Sequence, residues 1–217
     1  MKKTTRKLFL CQLGVSLITA PFAALGISAI SKKEMTDGKG NDCGYTDAAT
    51  EGPFFVKNTA QTVNLNYTNL TGIPMVVSGR IYGDKEGKLP LPNAKIEIWH
   101  CDADGIYHPE GNQDIAHYEE SEIALRGFVI SDKKGAYSFR SIVPGLYSGR
   151  RRHIHYKISA KGYRTLTTQS YWLSEKGDQR EHIDRTDRNT EDCRYIDFKS
   201  RGTSGVEGIF NIYMKKI

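Results

Sequence analysis

The chain has 217 residues, with 31 Lys or Arg against 25 Asp or Glu, and this length is enough for one domain with a hydrophobic core. Four of the basic residues, Lys2, Lys3, Arg6 and Lys7, lie at the N terminus, and 31 less these 4 leaves 27 basic residues against 25 acidic ones. Such an ordinary surface charge gives no indication of nucleic acid as a partner.

The N terminus has a basic start followed by an apolar stretch, residues 8–30, which is the arrangement of an export signal. We therefore assign residues 1–30 to an export signal, and the segment TRKLFL (5–10) resembles a twin-arginine signal with Lys7 replacing the second arginine. Because the apolar stretch is long enough to cross a bilayer, a retained membrane anchor is the alternative. We expect an exported protein, periplasmic or secreted, or a membrane-anchored one if the leader stays uncleaved.

Three cysteines lie outside the leader, Cys43, Cys101 and Cys193, and their spacing does not fit a zinc site. An oxidising compartment would allow one disulfide and one free thiol. The sequence does not decide which two cysteines pair, although a bond between Cys43 and Cys193 would join two loop-like regions.

The rest of the chain divides into a polar, turn-rich N-terminal arm, residues 31–57, and a domain, residues 58–217. In the domain, alternating apolar residues between Gly and Asp turns predict short strands. They are predicted at 75–82, 94–99, 126–131, 136–140, 153–159, 165–172 and 208–214, with one short helix near 175–184. This pattern indicates an all-β fold, an antiparallel β-sandwich with long loops.

Two histidines, His153 and His155, begin one of the predicted strands. Side chains alternate along a strand, so both imidazoles lie on the same face and can point at one ion. Tyr107 and Tyr147 would add two phenolate oxygens, and such a set suits ferric iron, a hard cation. The simpler interpretation is that the histidines face solvent and the tyrosines are core aromatics.

Several segments, in this order and spacing, resemble the intradiol ring-cleavage dioxygenases, which include the protocatechuate 3,4-dioxygenases and catechol 1,2-dioxygenases. They are TEGPFF (50–55), PNAKIEIW (92–99), GIY (105–107), SDKKGAYSF (131–139), PGLY (144–147) and HIH (153–155). The resemblance implies a prealbumin- or transthyretin-like topology. It also implies that one nonhaem ferric ion is held by Tyr107, Tyr147, His153 and His155.

The same resemblance implies the reaction and three catalytic residues. A catechol-type substrate would bind through both oxygens, and O2 would cleave the ring between the two hydroxylated carbons to give a muconate-type diacid. Tyr147 matches the tyrosine that takes up a substrate proton. Arg150, three residues before the first histidine, would stabilise negative charge that develops on the ring. Gln169 matches a pocket glutamine in a T-Q-x-Y context.

Two departures from the family limit what the resemblance implies. The interval from Tyr147 to His153 is shorter than in the protocatechuate enzymes, so the substrate could be catechol, hydroxyquinol, protocatechuate or a larger lignin- or flavonoid-derived phenol. The N-terminal helical region of the catechol 1,2-dioxygenases is also missing. A helix-mediated dimer is therefore not expected, while another kind of homo-oligomer stays open.

The strand and turn layout also resembles small transthyretin-like sandwiches that serve as exported binding or spacer modules. A non-catalytic module is therefore the alternative function. A spacer has no reason to keep two histidines beside two tyrosines, so these residues favour the enzyme. A zinc hydrolase is disfavoured because zinc seldom takes two phenolates.

Three further features lie near the predicted site in the sequence. We expect His100 to be a hydrogen-bonded residue at a strand end rather than a ligand. His108 adjoins Tyr107 and could approach the pocket. The segment 53–55 either lines the substrate pocket or plugs an edge of the sandwich.

Overall fold

The structure is a computed structural model that describes residues 43–189 and 192–217. These residues belong to one compact unit, Gly38–Ile217. The predicted export signal and the first part of the arm, residues 31–42, lie outside the described residues. Within the described ranges, no helix has the length and apolar character that a membrane span requires.

Ten strands, one α-helix and five short 3-10 helices form the regular structure of the described part of the chain. The strands are β1 (Pro74–Tyr82), β2 (Lys95–Trp99), β3 (Arg126–Ile130), β4 (Ala136–Ile142), β5 (His153–Ser159), β6 (Leu166–Trp172), β7 (Tyr195–Ile196), β8 (Lys199–Ser200), β9 (Val206–Ile209) and β10 (Ile212–Tyr213). The helix α1 (Gln179–Ile183) is shorter than predicted. The predicted strands up to residue 172 are confirmed, with small differences at their ends.

The strands form two five-stranded sheets within the described ranges, so the all-β sandwich is confirmed. One sheet has the order β3-β2-β5-β6-β7, while in the other β1 pairs with β4, β9 and β10, and β9 pairs with β8. Most strand pairs are antiparallel, as expected, but the pairs β1–β9, β1–β10 and β6–β7 are parallel, so both sheets are mixed. Parallel pairs need long connections, and alternation of apolar residues does not reveal pairing direction.

The predicted C-terminal strand, 208–214, is two strands in the structure. Between them, the Phe210 backbone N–H donates to the Ser78 carbonyl at 2.8 Å, and Asn211 Oδ1 accepts from the Arg80 N–H at 2.9 Å. The chain therefore follows β1 in one register throughout, and only the regular strand pairing is interrupted at these two residues. An apolar alternation of this kind does not show such an interruption.

The hydrophobic core lies between the two sheets. It takes Val77 and Phe139 from one sheet, and Ile154, Tyr156 and Ile158 from β5 of the other. Because side chains alternate along β5, its remaining residues face the outer side of the sheet. Loops and the arm cover that outer side, and the predicted site lies there.

The described part of the arm, residues 43–57, is fixed to both sheets rather than loosely held. The Ala49 N–H donates to the carbonyl of Thr167 in β6 at 2.9 Å. The Thr46 N–H donates to the carbonyl of Tyr213 in β10 at 3.0 Å. Backbone hydrogen bonds therefore hold the arm in a defined position beside β6 and β10.

A disulfide joins Cys43 to Cys193 across 150 residues of sequence, and Cys101 is a buried free thiol. The bond restricts the unfolded chain, so replacing both cysteines by serine should lower the free energy of unfolding by about 3–5 kcal/mol. Chemical denaturation with and without reductant measures this effect. Reductant should shift the midpoint of the wild type but not of the double variant, and an equal shift in both would contradict the prediction.

His100 directly follows β2 and is fully buried, and its expected hydrogen bonding is confirmed. Its Nδ1 donates to the Cys101 carbonyl at 2.7 Å, and its Nε2 accepts from Ser141 Oγ at 2.7 Å. Both ring nitrogens are therefore used in the neutral form. Burial lowers the pKa of His100 to about 4.

The low pKa of His100 predicts a loss of stability in acid. Below 6.5, the ordinary pKa of a histidine side chain, the unfolded chain binds a proton that the folded chain excludes, so stability falls between pH 6.5 and about 4. The contribution of His100 alone to this loss of unfolding free energy is about 3 kcal/mol. In metal-free protein, His100→Gln should therefore show a shallower fall in melting temperature than the wild type across this range. Parallel pH curves would contradict the prediction.

Candidate metal centre

The two histidines of the predicted site begin β5 and face outward together. His153 and His155 are both buried, at 3 % exposure each, and their ring centroids lie 4.8 Å apart. Pairing of β5 with β2 on one side and β6 on the other fixes the strand that carries them. This is the arrangement that the H-x-H pattern predicts for a strand.

Tyr107 reaches the two imidazoles from the loop after β2. Its Oη lies 3.2 Å from Nε2 of His153 and 3.2 Å from Nε2 of His155. The tyrosine is itself 2 % exposed. The structure therefore brings three of the four predicted donor atoms to one buried point.

The histidines are in the protonation state that a metal requires. Nδ1 of His153 donates to the Arg151 carbonyl at 2.7 Å, which leaves a lone pair on Nε2. Burial, and secondly the positive charge of Arg150, lowers the pKa of His153 to about 4. Burial also lowers the pKa of His155 well below its usual value. Near pH 7 both imidazoles are neutral, the form that metal ligation needs.

The donor set fits a ferric ion. Imidazole and oxygen ligands lie about 2.0–2.2 Å from a bound transition metal, so adjacent donors around one ion are roughly 3 Å apart. The two observed separations agree with this spacing. Burial raises the pKa of Tyr107, so its phenolate would need a cation to form. Among the described residues, no group of three or more His, Cys, Asp or Glu side chains is placed to hold a metal ion.

Tyr147 lies beside the other donors, in the loop between β4 and β5. Its ring is edge-on to that of Tyr107, with centroids 5.5 Å apart. It is half-buried, and its hydroxyl forms no hydrogen bond with the described part of the chain. The structure thus places the fourth donor residue at the site by its ring, without bringing its oxygen into contact with the other three donors.

Two glycines allow the tyrosine-bearing loops to pack closely. A Cβ on Gly105 would lie 2.4 Å from the Leu146 carbonyl oxygen, and Gly105 also has φ +86°. A Cβ on Gly145 would lie 2.3 Å from the Ala103 carbonyl oxygen. Both distances are too short for a side chain. The G-x-Y pattern before each tyrosine is therefore a packing requirement of the site.

Aromatic residues of the arm and of β2 form one wall of the site. The Phe54 ring stacks on Tyr107 at 4.4 Å and meets Tyr147 edge-on at 5.5 Å. Trp99 stacks on the His155 ring at 4.7 Å, and Phe55 packs on Trp99. Phe54 and Phe55 therefore pack around the predicted donors, whereas Pro53 is exposed.

Arg150 and Gln169 both lie next to the histidines. Arg150 Nη2 donates to Gln169 Oε1 at 2.7 Å, and Arg150 Nε donates to Asp184 Oδ1 at 2.8 Å. Gln169 pairs with His155 in the β5–β6 register, and its Nε2 donates to the Thr50 carbonyl at 2.8 Å. The arm, the glutamine and the arginine are thus linked directly.

His108 does not enter the site. Its Nε2 lies 2.7 Å from Asp102 Oδ2, so the pair holds the loop that carries Tyr107.

Sequence reasoning missed Arg126, which is 2 % exposed. Its guanidinium donates to three carbonyls, those of His108 at 2.6 Å, Phe54 at 2.8 Å and Pro109 at 2.9 Å. It therefore joins the chain after Tyr107 to the arm that stacks on Tyr107. The sequence around Arg126 does not indicate this role, because the partners of its guanidinium are backbone carbonyls of residues far away along the chain.

Known proteins match this chain in sequence and in fold. A family model described as "Dioxygenase" matches residues 50–188. The catechol 1,2-dioxygenase of Acinetobacter baylyi is 33% identical over 149 residues, 57% of this chain and 45% of that protein. The hydroxyquinol 1,2-dioxygenase of Nocardioides simplex is 30% identical over 146 residues, 58% and 47% of the two chains. The chain thus spans about half the length of these relatives.

Among solved structures, a dioxygenase domain matches over nearly its whole length. It comes from a dioxygenase and carbohydrate-binding protein fusion of Streptomyces sp. SirexAA-E, with 30% identity and a TM-score of 0.65. The match covers 80% of this chain and 99% of that one. Together with the family model, which covers well over half of the sequence, it identifies the chain as a member of the intradiol ring-cleavage dioxygenase family.

Proposed function

We propose that the protein is a nonhaem Fe(III)-dependent dioxygenase that cleaves catechol-type rings between the two hydroxylated carbons. The observation that carries the proposal is the 3.2 Å approach of Tyr107 Oη to Nε2 of both His153 and His155. Tyr147, beside them, would complete the ligand set. The family match and the names of the relatives support the reaction class.

A ferric ion held by these four side chains would act as a Lewis acid that binds both oxygens of the catechol and makes the ring reactive toward O2. Tyr147 is suited to accept a substrate proton at its Oη, because that atom has no hydrogen bond within the described ranges. Tyr107 is suited to stay in place, since two imidazoles and the Phe54 ring confine it.

The remaining residues would orient the ring and limit water. The Arg150 guanidinium has two of its nitrogens engaged, with Asp184 and Gln169, and Nη1 remains available for negative charge that develops on the substrate. Phe54 and Trp99 close the site with apolar surface, which strengthens electrostatic interactions inside it.

A panel of dihydroxybenzenes tests the proposal. Purified, iron-loaded protein should consume O2 with at least one 1,2-dihydroxybenzene and not with the 1,3- or 1,4-isomers, because only adjacent oxygens can bind one ion together. The product should be an acyclic diacid that carries both atoms of 18O2. Absence of O2 consumption with catechol, hydroxyquinol, protocatechuate and aryl-substituted catechols would favour the alternative, an exported spacer module.

We also propose that the protein works outside the cytoplasm. The basic and apolar leader, residues 1–30, supports export, and the bond between Cys43 and Cys193 supports an oxidising compartment. Fractionation of expressing cells should find the chain in the periplasm or the medium, or in the membrane if the leader is kept. A wholly cytoplasmic chain would contradict this proposal.

A further inference from the structure

Arg150 depends on two partners for its position. Asp184 accepts from Nε at 2.8 Å and Gln169 accepts from Nη2 at 2.7 Å, and the arginine side chain is 10% exposed. A buried guanidinium in this position has few alternative conformations while both partners are present. Gln169 supplies only a neutral dipole, so Asp184 is the charged partner.

Asp184 itself is rigidly held. Its side chain is 0% exposed and lies directly after α1. Oδ1, besides binding Arg150, accepts from the Thr186 N–H at 3.1 Å and the Asp187 N–H at 3.4 Å. Oδ2 accepts from the Arg151 N–H at 3.4 Å. The Arg151 guanidinium also lies close, with Nε 3.6 Å from Oδ2. The carboxylate is therefore fixed by backbone N–H groups and by Arg151, and it can fix Arg150 in turn.

The neighbouring arginine of the same run offers a comparison. Arg152 Nε donates to Glu175 Oε1 at 2.7 Å, with side chains 22% and 27% exposed. This pair has the same chemistry and nearly the same distance, but it is partly solvated, and neither residue contacts His153, His155 or Gln169 in the structure's hydrogen bonds. It therefore serves as a control for loss of a carboxylate near this loop.

We propose that Asp184 is a positioning residue of the site, which aims the Arg150 guanidinium at the substrate ring by a buried, charged hydrogen bond. The inference rests on the proposed function, because Arg150 acts on a substrate only if the site binds one. Among the described residues, Asp184 forms no hydrogen bond or ion pair with Tyr107, Tyr147, His153 or His155. Asp184 also contacts Arg151, whose carbonyl accepts from His153 Nδ1. The proposal therefore requires that the effect of Asp184 on turnover passes through Arg150 and becomes small when Arg150 is absent.

The test compares Asp184→Asn with Glu175→Gln and with Arg150→Met. With catechol or whichever panel substrate is most active, Asp184→Asn should lower kcat at least tenfold per bound iron, while Glu175→Gln should change it less than twofold. In the Arg150→Met background, Asp184→Asn should lower kcat less than twofold further. An equal loss in both backgrounds would overturn the proposal, since a general structural defect does not depend on Arg150.

A second measurement does not need activity or iron. In metal-free protein, Asp184→Asn should raise the unfolding equilibrium constant at least fivefold more in the wild type than in the Arg150→Met background. Equal effects in the two backgrounds would show that the pair is not coupled and overturn the proposal. Failure of the proposed function itself would appear differently, as a wild type without catechol cleavage but with this coupling intact.

Discussion

His155→Ala should abolish iron retention. The imidazole supplies one of the three donor atoms that meet within 3.2 Å, and alanine leaves a buried gap between Trp99 and Tyr107 in its place. Iron per chain, measured after ferric reconstitution and removal of free metal, should fall from about one to below about a tenth of that value, because loss of one ligand costs several kcal/mol of binding.

His117→Ala is the matched control for that experiment. His117 is exposed, and its ring lies 3.3 Å from the Asp114 carbonyl oxygen, in a part of the fold that does not contact the site. This variant should keep the wild-type iron content. Normal iron content in His155→Ala would show that the assignment of His155 as a ligand is wrong.

Tyr147→Phe should keep the fold but slow turnover and change the colour of the iron-loaded protein. The change removes a single oxygen, which has no hydrogen bond within the described ranges, so stability should change little. If Tyr147 Oη accepts a substrate proton, kcat should fall by about 10²–10⁴. Loss of one phenolate donor should also alter the visible absorption band. Stopped-flow turnover and the visible spectrum measure the two effects.

Tyr67→Phe provides the control for loss of a phenol. Tyr67 is 39% exposed and belongs to the segment before β1, and in the described part of the chain it forms no hydrogen bond or ring contact with the four donor residues. It should have the spectrum and rate of the wild type. A Tyr147→Phe protein with an unchanged spectrum and rate would remove Tyr147 from the ligand set and from catalysis.

Much of the fold was predictable because one face of its strands packs on the apolar core. In β5 the apolar residues Ile154, Tyr156 and Ile158 face the core, and the alternation is visible in the sequence. The parallel pairing of β9 and β10 with β1 was not predictable, since pairing direction depends on how distant segments return to the sheet. The hydrogen bonds between the arm and both sheets were not predictable for the same reason, because they join segments that are distant in sequence.

The parts of the candidate site that short sequence patterns encode were predictable. H-x-H on a strand places His153 and His155 on one face, and each tyrosine follows a glycine that packing requires. Asp184 and Arg126 were not predictable, because charged residues in loops and strands usually face solvent. Both are buried here and act on partners more than ten residues away along the chain.

The visible spectrum of the wild-type protein after ferric reconstitution tests the central claim most directly. If Tyr107 and Tyr147 bind Fe(III) together with His153 and His155, charge transfer from phenolate to iron should give a red to burgundy protein with a broad visible band. The band should rise in proportion to added iron and level off at about one ion per chain. A protein that stays colourless, or that binds iron without such a band, would contradict the account.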